Sequence, residues 1–286
     1  MTQLIWNGLA LGSFYGLIGI GLAIVRGLWG ILNLSQGDFM ILGGYIVFIL
    51  VSSGVNVVLA IVIGVVVLGV LMALVARGTF HFTQQDLVNG FILSTGIGLI
   101  IQNTLELTMA SKSRDIVISG LGTAKIFGAS VPWIRLIFFF ATIVIVIATS
   151  WFLKRTKMGR YIRAAALNST AAKLVGINVN RVEFASYILS GMLAAVAGVG
   201  LLVQFVVTPY LGTRYVLKGT AAMLLGGAYK GIGNIGSTYI VGLILGAVEC
   251  FGVMFTSSKW QDLFAYLLLY AGLLLANRTQ KRKLGA

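Results

Sequence analysis

Two carboxylates, Glu106 and Glu249, fall inside or near long apolar runs, and an acid in such a place is a candidate for proton coupling or solute contact. A proton relay needs a series of ionisable groups, yet Asp and Glu together number 7 in 286 residues and the one histidine is His81. The other reading has Glu249, within Ala247-Val248-Glu249-Cys250, pairing with polar groups across a helix interface, and Glu106 near the outer end of its run. A third acid, Asp38, closes Ser35-Gln36-Gly37-Asp38 ahead of an apolar stretch. That spacing matches a capping box, in which the Ser35 hydroxyl accepts from the Asp38 amide while Asp38 reaches back. A helix is expected to start there, with Asp38 complementing its positive end. The same polar start could instead border a translocation path or gate, as the ends of broken helices do, which makes Gln36, Asp38 and Glu249 the candidates for that role.

Other chemistry is poorly supplied. One cysteine, Cys250, leaves no internal disulfide, and one histidine leaves no histidine-based metal cluster and no hydrolase triad beyond His81 itself. Gly231-Ile232-Gly233-Asn234-Ile235-Gly236 is a literal G-x-G-x-x-G, but the dinucleotide fingerprint needs a preceding strand and a βαβ unit, which these surroundings cannot form. With Gly226, Gly227 and Lys230 it reads as a tight connection between two spans. The chain contains no G-x-x-x-x-G-K-[ST], so any ATP has to be used by a partner. No cofactor or metal is expected.

The elements that position these residues follow from composition. Hydrophobic residues make up 58% and charged residues 10%, against roughly a quarter charged in soluble domains. The class is an all-α integral membrane protein, a polytopic helical bundle of about eight or nine transmembrane helices with some short or broken. Apolar spans run over 4–25, 34–52, 57–76, 87–109, 131–153, 184–207, 215–229, 235–255 and 263–276. Of these, 34–52 begins with polar residues and 215–229 is too short to cross easily, so either could be a half-helix or broken helix. The first span opens without a basic n-region and is expected to be a retained helix rather than a signal peptide. Gly8, Gly12 and Gly16 share one face of it and invite close helix packing, as do Gly191 with Gly198 and Gly242 with Gly246.

Between the fifth and sixth spans lies a polar island, 154–183, in which seven bases (Lys154, Arg155, Lys157, Arg160, Arg163, Lys173 and Arg181) precede the first acid, Glu183. It reads as short helices carrying a surface on which a soluble partner docks. If all nine spans cross and the island is inside, Lys and Arg divide 14 inside to 7 outside, which fits the positive-inside rule and puts the C-terminus inside. The net charge of +14 is explained by this membrane arrangement, because the bases sit beside apolar spans rather than along a nucleic-acid-binding face.

Asn33-Leu34-Ser35-Gln36-Gly37-Asp38-Phe39-Met40-Ile41-Leu42-Gly43-Gly44-Tyr45 looks like the N-x-x-H-G-E-x-x-M-L-G-x-Y segment of the LivH-type permease subunits of branched-chain amino acid ABC importers. Met158-Gly159-Arg160, Arg163-Ala164 and Ala172 through Gly176 resemble that family's ATPase-coupling loop. Gly191 to Gly198, Pro209-Tyr210, Leu225-Gly226-Gly227 and Gly242 to Glu249 follow the family's order and spacing, so the resemblance covers nearly the whole chain. Three departures are Gln36 in place of the usual His, Ala228-Tyr229-Lys230 after Gly227, and a tail without the common Arg-Pro.

The resemblance implies one permease domain over 1–286 with its coupling loop at 154–183. It implies two ATP-binding subunits, a second, non-identical permease and an extracytoplasmic binding protein that selects the solute. Coupling would fall to Met158, Gly159, Arg160, Arg163, Ala164, Ala172 and Gly176, and Asn33 joins Gln36, Asp38 and Glu249 as a candidate for the path. The setting implied is the cytoplasmic membrane of a bacterium or archaeon. The solute class includes branched-chain amino acids, urea, short amides and small organic acids. A gradient-driven transporter or a channel is the alternative, and a membrane enzyme finds no paired nucleophile and base.

Overall fold

The structure is a computed structural model, and it describes residues 2–30, 32–79, 86–109, 122–126, 129–205, 207–227, 232, 234–255, 263, 266, 267 and 270. The helices are α1 (Thr2–Trp29), α2 (Gln36–Ser52), α3 (Val57–Thr79), α4 (Leu87–Met109), α5 (Trp133–Arg155), α6 (Lys157–Leu167), α7 (Ser169–Leu174), α8 (Val179–Gln204), α9 (Leu211–Leu225) and α10 (Ile235–Phe255). A short antiparallel hairpin, β1 (Thr123–Ile126) and β2 (Ala129–Pro132), precedes α5, with Thr123 opposite Pro132. Six helices, α1, α3, α4, α5, α8 and α10, are long and apolar enough to cross a membrane. The expected ninth span, 263–276, lies almost wholly outside the described residues, as do Lys230, Gly231, Gly233 and the basic tail.

The centre of the bundle is α1, buried over 94% of its apolar window against 28% for α5 and 33% for α3. With lipid as apolar as the side chains, close backbone packing takes over the role that water exclusion plays in soluble proteins. The glycine faces serve this purpose. A Cβ on Gly8 would come within 2.8 Å of the Ala247 Cα, and one on Gly242 within 2.6 Å of the Gly16 Cα, so α1 and α10 run antiparallel backbone to backbone. In the same way Gly191 of α8 faces Gly69 of α3 at 2.9 Å. Ser13, Thr142 and Tyr239 add a hydroxyl chain across α1, α5 and α10, with oxygen separations of 3.2 and 2.7 Å.

The two doubtful spans both form helices that start part-way along a longer neighbour. The α2 helix runs parallel to α8 and its first residue, Gln36, bonds Ser190, which lies eleven residues along α8 and so about 16 Å from that helix's start. The preceding residues 32–35 are not helical and turn at Leu34 and Ser35, although the sequence placed the span from Leu34. Conversely, α9 runs parallel to α1, with Tyr215 beside Tyr15 at a ring separation of 6.0 Å and Gly219 against Ile18. It begins at Leu211 rather than Tyr215 and ends at Leu225, fifteen residues that are too few to span by themselves. The two broken helices meet N-terminus to N-terminus, where a Cβ on Gly212 would lie 2.7 Å from the Gly37 carbonyl carbon. Irregular backbone at this depth is tolerated because protein surrounds it.

Candidate functional site

Around the facing N-termini the polar residues are brought together and buried. Ser35 adopts helical angles (φ −67°, ψ −7°), which turns its hydroxyl away from the amides it was expected to cap. Its Oγ instead donates to Asn33 Oδ1 at 2.6 Å, so the capping box does not form. Asp38 does not turn back either. Its Oδ1 accepts from Gln102 Nε2 of α4 at 2.8 Å, and the same amide nitrogen donates to Thr213 Oγ1 of α9 at 3.1 Å. The positive ends of α2 and α9 flank this carboxylate, and Gly212 permits the approach because any Cβ there would lie 2.5 Å from Asp38 Oδ1.

Gln36 and Ser190 bond reciprocally, Nε2 to the Ser190 carbonyl at 3.2 Å and Ser190 Oγ to Gln36 Oε1 at 3.1 Å. Asn33, only 2% exposed, keeps its Nδ2 without a hydrogen-bond acceptor. Thus Asn33, Gln36 and Asp38 form one cluster where α2, α4, α8 and α9 converge. Gln102, Thr213 and Ser190 are the members that sequence reasoning missed. Nothing in one apolar span identifies which polar residue of another it meets.

Glu249 belongs elsewhere. Its Oε1 lies 2.5 Å from Lys218 Nζ, its Oε2 accepts from Tyr15 Oη at 2.7 Å, and Lys218 also donates to Tyr15 Oη at 3.2 Å. The lysine and glutamate are 2% and 0% exposed. The reading in which Glu249 pairs across a helix interface therefore holds, with α1, α9 and α10 as the helices joined. Both carboxylate oxygens are occupied and the pair is enclosed by protein, whereas a relay residue must exchange its proton with water. The detectable signal is Lys218 itself, a base inside the 215–229 span. A lysine in mid-span needs a partner, and Glu249 was the acid available at comparable depth. Glu106 is half-buried near the end of α4.

At the opposite end of α5 the island forms two short helices. Thr156 caps α6, accepting from the Gly159 amide at 3.0 Å, and Asn168 caps α7, accepting from Ala171 at 2.9 Å. Gly159 lies against the last turn of α5, where a Cβ would come 2.5 Å from the Leu153 Cα, while Ile162, Ala165 and Ala172 face inward. Gly176 takes φ +83°, the left-handed turn that releases the chain toward α8. Gly159 and Ala172 are buried, Met158 and Ala164 are half-buried, and Arg160, Arg163 and Gly176 are exposed. The two arginines donate to the carbonyls of Arg155 and Lys154 at 3.2 and 3.3 Å, bracing α6 on the negative end of α5. Sequence reading missed the apolar part of this surface, in which Leu167 and Leu174 are each 84% exposed beside Val175 and Tyr161.

Comparison with known proteins places this geometry in context. The family described as "Branched-chain amino acid transport system / permease component" matches residues 4–273. The high-affinity branched-chain amino acid transport system permease protein LivH of Escherichia coli K12 is 31% identical, covering 96% of this chain and 92% of the relative. LivH of Salmonella typhimurium is 30% identical over the same shares, and the ribose import permease protein RbsC of Haemophilus influenzae is 30% identical over 98% of this chain and 87% of its own. Among solved structures, PsaBC from Streptococcus pneumoniae in complex with Fab aligns at a TM-score of 0.51 and 15% identity, covering 98% of this chain and 94% of that one, a likeness of fold.

Replacing Lys218 with Met, or Glu249 with Leu, strands one buried charge and is expected to cost about 3–5 kcal/mol, whereas the two changes together restore most of the loss. Thermal unfolding of the two single variants and the pair measures this. A pair as unstable as the two losses added together would contradict the assigned ion pair.

Proposed function

The chain belongs to the family of branched-chain amino acid transport permease components, and on that premise we propose that it works as one of two non-identical permeases in an ATP-driven importer. Two ATP-binding subunits dock on the island, and a binding protein delivers the solute at the opposite face. The solute is a branched-chain amino acid or a related small polar molecule. Because the relatives include permeases named for amino acids and for ribose, selection is assigned to the binding protein rather than to this chain. The island faces the cytoplasm in this reading, with the C-terminus on the same side, in the membrane of a bacterium or archaeon. The domain is taken as a single unit over 1–286, coupled through 154–183.

The observation that carries the proposal is the construction of the island. A capped α6, braced by arginines on the last carbonyls of α5, presents apolar and basic side chains outward while its inner face packs on the bundle. Closure of the ATPases displaces such an element as a rigid body and so moves α5 and α8 on either side of it, the requirement of alternating access. At mid-depth the Asn33, Gln36 and Asp38 cluster sits between discontinuous helices, the place where transported solutes meet irregular backbone in other transporters. Glu249 is set apart from the path as a tie between helices.

Charge reversal at Arg160 and Arg163 is expected to release the ATPases or to abolish ATP-dependent uptake while leaving membrane topology unchanged. Pull-down of the ATPases with topology reporters checks this. Intact complexes with normal uptake would count against the docking role. For the path, Asp38→Asn and Gln36→Ala are expected to lower the uptake rate at equal assembly, read as transport per assembled complex. Unchanged rates in both would remove the cluster from the path.

A further inference from the structure

A pocket of about 290 Å³ opens at the island end between α3 and α8, lined by Ala73, Ala76 and Arg77 on one side and by Asn180, Glu183 and Tyr187 on the other. Its size is at the lower limit for small-ligand sites. Arg77 stands in the last turn of α3 and Glu183 in the second turn of α8, so opposite charges face one cavity. Among the described residues neither makes a hydrogen bond or an ion pair within 4.0 Å. Lys173 of α7 acts on Glu183 through space without closing on it. Because neither is engaged by another described side chain, both charges are available to a ligand that bears both signs.

We propose that this pocket binds a zwitterion with a primary ammonium and an anionic oxygen group, the ammonium on Glu183 and the anion on the Arg77 guanidinium. Two sources offer that chemistry here, the headgroup of an ethanolamine phospholipid and a free amino acid approaching from the island side. The surroundings favour the lipid. Val66, Val70 and Leu74 form an exposed apolar stripe on α3 that runs down to Arg77 at helical spacing, a track on which acyl chains lie while the headgroup turns into the pocket. Arg77 suits a phosphate because its planar fork can donate two parallel hydrogen bonds. Glu183 discriminates between lipids, since a primary ammonium donates to a carboxylate and a quaternary choline cannot.

The test uses the full chain, purified with its co-expressed subunits in nanodiscs of phosphatidylethanolamine, phosphatidylcholine or phosphatidylglycerol, with retained lipid read by native mass spectrometry. Wild type is expected to retain the ethanolamine lipid, and Arg77→Ala and Glu183→Gln each to lower retention about tenfold, the worth of one charged hydrogen bond. Titration calorimetry with L-leucine in choline-lipid nanodiscs is the second arm, and leucine binding that both substitutions remove would assign the free source. Arg77 is exposed, so Arg77→Ala should fold and carries the test if Glu183→Gln reduces yield. Equal ethanolamine-lipid and leucine binding in wild type and variants, or preference for the glycerol lipid, would overturn the proposal.

Discussion

A lysine and a glutamate inside a membrane bundle cannot stand alone, and that constraint fixes the centre of this protein. Lys218 and Glu249 lie 2.5 Å apart with Tyr15 bonded to both, which ties the half-helix α9 to α10 and to the central α1. The α9 helix is fifteen residues long and packs closely through Gly212, Gly219 and Gly226 on α2, α1 and α10. The ion pair supplies a fixed point near its middle. From there the N-terminus of α9 is carried against that of α2, and Asp38 meets Gln102 and Thr213. Such a pair contributes little net stability over well-packed apolar residues, but losing one partner is costly, so its effect is to specify one arrangement.

Glycine supplies the complementary constraint. The α1 and α10 backbones touch through Gly8, Gly12, Gly16, Gly242 and Gly246, leaving a rigid pair against which shorter elements are placed. The island is joined to the bundle by continuous helix through α5 and by Gly176 and the Asn178 cap into α8. Ser190 of α8 in turn holds Gln36 of the polar cluster.

The class and the island were legible because composition and charge are local properties, and the polar start at Ser35 to Asp38 and the shortness of 215–229 raised a broken helix as one possibility for each. The sequence also placed a polar partner across from Glu249 without naming it. Lys218, Gln102, Thr213 and Ser190 escaped notice because they lie in or beside spans whose mutual contacts no local pattern encodes. The capping box failed for a conformational reason, since Ser35 entered the helical region and directed its hydroxyl to Asn33. In the island the fold buries Gly159 and Ala172, leaves Arg160 and Arg163 exposed, and brings Leu167 and Leu174 to the surface, none of which the residue types alone determine. The hairpin at 123–132 carried no signal strong enough to separate it from the span that follows.

If the buried charges are static ties, ATP alone supplies the work of transport. Uptake into proteoliposomes holding the assembled complex and its binding protein, measured with and without ATP on the ATPase side and with and without a protonophore, separates the two energy sources. Uptake is expected to require ATP, to be unchanged by the protonophore, and in a Glu249→Gln variant of equal assembly to keep the wild-type pH profile. Uptake that persists without ATP and collapses with the protonophore would show instead that a proton gradient drives it.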